Sequence, residues 1–144
     1  MKFVSIATAA LLVAGMGAAM AQGDAITERK NLMKAVGAAT APVGRMMQGA
    51  EPFDLAKVQA ALNTYSQSAK KSPALWPAGS DQGDTRTLPA AFAEKDKFNA
   101  IFAKWDADST AALAAIKDEA SFKTEMPKVL SNCGACHQPY RRPQ

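Results

Sequence analysis

Both cysteines and the only histidine of this 144-residue chain fall within five consecutive residues, Cys133-Gly134-Ala135-Cys136-His137. Cys-x-x-Cys-His is the attachment signature of a c-type haem, and the spacing has a chemical reason. Two thiols add across the two vinyl groups at one edge of the ring and become thioethers. The next residue, His137, then lies beneath the iron and can ligate it through an imidazole nitrogen. Three bonds from one short segment hold both the ring and its lower axial ligand, so the chain is expected to fold around one covalently attached haem c. The same pair of cysteines could instead form a disulfide, a thioredoxin-like redox site or half a zinc site. A four-ligand zinc site would have to complete itself from Asp or Glu, because the chain offers two Cys and one His. A thioredoxin-like site calls for a βαβ context, and no strand pattern is legible here.

The N-terminus agrees with haem attachment, which takes place outside the cytoplasmic membrane. Lys2 is followed by an apolar run from Phe3 to Met20, and Ala19-Met20-Ala21 fits the small-x-small cleavage pattern. Residues 1–21 are expected to be a cleaved secretory signal peptide, leaving residues 22–144 as a single domain in the periplasm. A membrane anchor is the alternative, but this stretch is rich in Ala and Gly and lacks basic stop residues after it. No later segment is apolar and long enough to span a bilayer. The formal net charge of +4 falls by one when Lys2 leaves with the signal, and two ionised haem propionates lower it by two more. The basic residues Lys70, Lys71, Arg141 and Arg142 are scattered, so a nucleic-acid role has no patch to rest on.

Apolar residues recur at helical period. A first segment runs from about Asp24, a plausible N-cap, to about Gln48. Its stripe is Ile26, Met33, Thr40 and Met47, with Arg29, Val36 and Val43 between them, and Pro42 should kink it or end it early. A second opens at Pro52 or Asp54 and carries Leu55, Val58, Leu62, Tyr65 and Ala69. A third, after Pro89, carries Phe92, Phe98, Phe102, Trp105, Leu113 and Ile116. The fourth carries Phe122, Met126, Val129, Cys133, Cys136 and Tyr140, with both cysteines on the apolar face; Pro127 predicts a kink or a late start there. Residues 72–89 form one long loop in which Leu75 and Trp76 should pack back onto the body. The fold expected is an all-α four-helix bundle with the haem turned toward its core.

A four-helix chain with its haem motif at the extreme C-terminus resembles the class II c-type cytochromes, that is, the cytochromes c′ and their low-spin c-556 relatives. The resemblance is carried by Arg29-x-x-x-Met33-Lys34, by the Gly49-Ala50-Glu51-Pro52-Phe53-Asp54 turn, and by Trp76-Pro77-x-Gly79 and Gly83-Asp84-Thr85-Arg86 in the loop. It ends at Cys133-x-x-Cys136-His137-x-x-Tyr140-Arg141. It implies an antiparallel up-down-up-down bundle. In cytochromes c′ the distal position on the first helix holds a non-ligating apolar residue, commonly Leu, and the five-coordinate iron binds NO or CO. In the low-spin branch a Met ligates there. Gap-free counting from the Pro-Phe-Asp turn brings that position to Met33, with Gly37 one turn later leaving room for the ring.

The resemblance therefore implies Cys133 and Cys136 as covalent anchors, His137 as proximal ligand, Met33 as the sixth ligand and Arg141 as a neighbour of the imidazole. Tyr140, Phe98, Phe102 and Trp105 read as core or haem-wall packing. With both axial positions filled the iron has no open site, so the chain is expected to be a periplasmic electron carrier rather than an enzyme. Its partners would be soluble or membrane-bound redox proteins, with a homodimer through the first two helices as in many family members. A five-coordinate cytochrome c′ that binds NO or CO is the alternative.

Overall fold

The computed structural model describes residues 7–143, with side chains from Asp24 to Pro143. The signal peptide expected at 1–21 therefore lies outside the described side chains, and its first six residues lie outside the described chain. Four long helices carry the structure: α1 (Ala7–Met47), α2 (Leu55–Lys71), α4 (Lys95–Ala115) and α5 (Glu119–Tyr140). A single 3-10 turn (Ser72–Leu75) follows α2, and a one-turn helix, α3 (Ala90–Ala93), precedes α4. No described helix is long and apolar enough to cross a membrane.

Consecutive long helices pack side by side, α1 on α2, α2 on α4 and α4 on α5. The short connections 48–54 and 116–118 force antiparallel neighbours, which gives an up-down-up-down four-helix bundle. At the first turn, Gly49 takes φ 73°, a left-handed conformation that glycine adopts without strain. The Arg45 carbonyl accepts from Ala50 N–H at 2.9 Å, and the Arg45 guanidinium pairs with Glu51. Asp54 then caps α2, its carboxylate accepting from Lys57 N–H at 3.1 Å. Asp118 opens α5 with a capping box shared with Ser121. Replacing Asp54 with Ala should lower unfolding stability by about 1 kcal/mol, read as a shift of the urea midpoint with an unchanged slope.

Several expectations need correction. Asp24 is not an N-cap, because α1 is already helical from Ala7; the Ala-rich stretch upstream is itself a strong helix former. Pro42 does not end α1, which runs on to Met47. The carbonyl it leaves without a partner belongs to Ala38, an exposed residue within reach of water. Pro127 does not delay α5, which starts at Glu119, and the carbonyl it orphans is that of exposed Lys123. The third segment is broken at Glu94, whose φ of −107° and ψ of 42° separate α3 from α4.

The register of α1 also differs from the expected stripe. The buried line is Arg29, Val36, Val43 and Met46, while Ile26, Met33, Thr40 and Met47 form its half-buried flank. The buried line meets Val58, Leu62 and Tyr65 of α2, and the core continues through Phe98, Phe102 and Trp105 to Phe122, Met126 and Val129. The Tyr65 hydroxyl bonds Thr40 Oγ1 at 2.9 Å, and Thr40 donates in turn to the Val36 carbonyl at 2.7 Å.

Arg29 is only 5 % exposed, and it explains the path of the long loop. Its guanidinium donates to the Ser80 carbonyl at 2.7 Å, Ser80 Oγ at 3.0 Å and the Leu75 carbonyl at 3.3 Å. It also lies 5.3 Å from the centre of the Trp76 ring, a cation–π arrangement. Trp76 packs back as expected, edge-on to Phe98 at 5.0 Å and tilted against Phe102 at 5.3 Å. Leu75 is half-buried, and its carbonyl serves as one of the Arg29 acceptors.

Candidate haem site

Among the described residues α1 and α5 do not pack closely on each other, and a cavity lies between them with α4 as its floor. Met33 and Val36 line it from α1, Ile101, Phe102 and Trp105 from α4, and Asn132, Cys133, Cys136 and His137 from α5. The structure thus brings four of the five sequence-predicted site residues to one apolar space, and Arg141 caps the end of α5 just beyond it. The reason is local. Cysteines at i and i+3 on a helix share a face, and the continuous helix through Asn132 and His137 turns that face toward α4.

Both thiols are free and half-buried. Burial pushes Cys133 above the ordinary thiol range, and burial followed by the neighbouring Cys133 pushes Cys136 up to about 11. Such an environment holds thiols neutral. A redox thiol of the thioredoxin kind needs the opposite shift, whereas a thioether carries no charge to desolvate. Among the described residues no group of three or more His, Cys, Asp or Glu gathers as a metal cluster, so the zinc reading finds no further ligands there. Burial, and after it the charges of Arg141 and Arg86, hold His137 below its ordinary value. Its imidazole is therefore neutral at physiological pH, the form that ligates a metal. Two thiols on one helical turn, a neutral imidazole after them and an apolar wall opposite fit a covalently held haem.

Gly37 is exposed, and a Cβ built there would meet nothing within 4 Å. Space is thus open beside it, although it does not line the cavity. Of the aromatics expected as wall or core, Phe102 and Trp105 face the cavity, while Phe98 and Tyr140 pack on each other at 5.0 Å behind it. Met46 and Met126 are core residues, and neither lines the cavity.

Three contributors were not read from the sequence. Ile101 and Asn132 complete the wall, and Asn132 ties α5 to α4 by donating to Asp108 Oδ2 at 2.7 Å. Its position three residues after Val129 on the apolar stripe was a usable signal. Arg86 stood in the sequence only as part of the loop motif, with nothing to place it beside His137. It reaches His137 because the loop pairs with the C-terminal end: Leu88 N–H donates to the Tyr140 carbonyl and Arg142 N–H to the Arg86 carbonyl, each at 2.9 Å.

A helical bundle with a covalent-haem motif facing its own interior defines a class II c-type cytochrome. The family profile described as cytochrome c′ matches residues 24–141, and the chain belongs to the cytochrome c′ family. Its members are haem c proteins that carry electrons or bind gases, and they are not enzymes. The chain is 45% identical over 142 residues to cytochrome c′ of Rhodopseudomonas palustris, covering 98% of this chain and 97% of that one. It is 38% identical over 144 residues to cytochrome c-556 of Agrobacterium fabrum, covering 98% and 97%. Among solved structures, cytochrome c′ from Rhodopseudomonas palustris superposes with a TM-score of 0.82 at 44% identity, over 84% of this chain and 98% of that one. A structural model of oxidised cytochrome c-556 from the same organism gives 0.76 at 28% identity, over 85% and 98%. The resemblance read from the motifs is borne out at the level of the family, which contains relatives of both names.

Proposed function

We propose that this chain is a periplasmic electron carrier with one haem c, held by thioethers to Cys133 and Cys136, with His137 and Met33 as axial ligands. The observation that carries this reading is that Met33 and His137, from opposite walls, border the same apolar cavity. When bound, the haem supplies a one-electron ferric/ferrous couple. The chain's own residues do the rest. Phe102, Trp105, Ile101 and Val36 exclude water from the ring, and Met33 closes the sixth position, which favours the ferrous state and raises the potential. Arg141, with Arg86, keeps positive charge beside the proximal imidazole, which favours its neutral form. Residues 1–21 would be removed on export. Redox proteins, soluble or membrane-bound, are the partners this reading requires, and α1 with α2 is the face on which a homodimer would form.

A second reading has a specific observation behind it. The 45% relative is named cytochrome c′, and the 38% relative is named cytochrome c-556. On overall similarity alone, a five-coordinate, gas-binding cytochrome c′ is the better supported of the two. The absorption spectrum of the purified holoprotein separates them. The carrier reading expects narrow ferrous α and β bands, a weak ferric charge-transfer band from the thioether, and no rapid change with CO. A broad high-spin spectrum that shifts at once with CO would assign the chain to the gas-binding branch and leave Met33 as packing.

A further inference from the structure

The loop and the C-terminal end of α5 meet in a short antiparallel contact, with Thr87 bridging to Arg141. Around it stand three arginines. Arg86 donates to the Arg142 carbonyl, and Arg142 donates to the Thr85 carbonyl. Arg141 and Arg142 are exposed and Arg86 is half-buried. Among the described residues none of the three forms an ion pair. Elsewhere on the described surface Lys30 is matched to Asp84, Lys70 to Asp106, Lys104 to Asp108 and Lys123 to Glu119, and the cations without a carboxylate, Lys34, Lys71, Lys95 and Lys117, do not adjoin the His137 segment. A patch of three charges without carboxylate partners, two of them held in place by backbone carbonyls, presents fixed positive charge to an approaching anionic surface. It adjoins the α5 segment that carries His137.

We propose that the Arg86–Arg141–Arg142 face is the docking surface for the acidic face of a redox protein, bringing that partner to the haem-bearing end of α5. The proposal rests on the electron-carrier reading. Charge complementarity selects the partner: uncompensated like charges steer an oppositely charged surface and raise its association rate. In the test, the reduced holoprotein passes one electron to hexacyanoferrate(III), giving hexacyanoferrate(II), and the second-order rate is followed against ionic strength. The rate should fall as salt rises. The Arg86→Gln/Arg142→Gln variant should react about tenfold more slowly at low salt and lose most of the salt dependence, with rates corrected for any measured change in midpoint potential. Arg142→Lys, which keeps the charge at the position that has no part in the imidazole's surroundings, should stay close to the parent. Lys70→Gln/Lys71→Gln, which makes the same change in net charge on α2, should also stay close.

A redox-inert probe, hexacyanocobaltate(III), gives a readout free of electron transfer: it should shift the backbone amide resonances of Arg86, Thr87, Arg141 and Arg142. If the two Gln variants slow equally, the effect is one of net charge and the docking surface is overturned. If neither slows, or if the probe moves amides elsewhere, it is overturned as well. Failure of the carrier reading shows separately, as a high-spin spectrum that responds to CO.

Discussion

Replacing Cys133 and Cys136 together with Ala should yield a protein from which acidified acetone extracts all the haem, whereas the parent releases none. The two residues share one face of α5, at the wall of the apolar cavity. With both thioethers gone, the ring would be held only through axial ligation and by packing against Phe102, Trp105 and Val36. Binding then becomes an equilibrium, and stability acquires a dependence on free haem concentration. The melting temperature of the double variant should therefore rise with added haem, while that of the parent should not. Each single variant should retain haem in acid through its remaining thioether. Retention by the double variant would mean that the attachment is not through these residues. The readout is a simple yes or no, and no other pair of side chains in the chain can make this bond, since Cys133 and Cys136 are its only cysteines.

The helices themselves were largely legible, because the long ones follow a period that few other structures produce. The Cys-x-x-Cys-His stripe on α5 also read correctly, since Val129, Cys133 and Cys136 follow helical spacing. What local pattern could not supply was whatever tertiary contact decides. Arg29 read as lying between the members of the stripe, yet it is buried, because carbonyls and hydroxyls of residues 75–85 satisfy its donors from across the bundle. Its burial in turn moves Met33 onto the flank, where α1 faces the cavity rather than α2. Pro42 and Pro127 read as kinks or breaks because only the lost N–H is visible in sequence. The fate of the orphaned carbonyl depends on which side of the helix meets water, and both lie on exposed residues. Arg86 is the plainest case. It stands far along the chain from His137, and the backbone pairing of residues 86–88 with 140–142 brings it there.

Substituting Met33 with Leu should convert the holoprotein from low to high spin, open it to CO and lower its midpoint potential. The drop should be on the order of 0.1 V, within the roughly 0.8 V that axial ligation can span. A thioether favours ferrous over ferric iron, so its removal must move the potential down. Leu conserves volume and apolar character, and the packing cost should stay below about 1.5 kcal/mol. A loss of fold is therefore not the expected source of any spectral change. Met126→Leu supplies the control: Met126 sits in the core and does not line the cavity, so that variant should keep the parent spectrum and potential. The comparison discriminates because the two methionines share a chemistry and differ only in which space they face. If the parent is high-spin from the start and Met33→Leu changes nothing, the half-buried flank of α1 contributes packing alone. The chain then functions as its 45% relative is named, and the electron-carrier reading falls with the sixth ligand on which it depends.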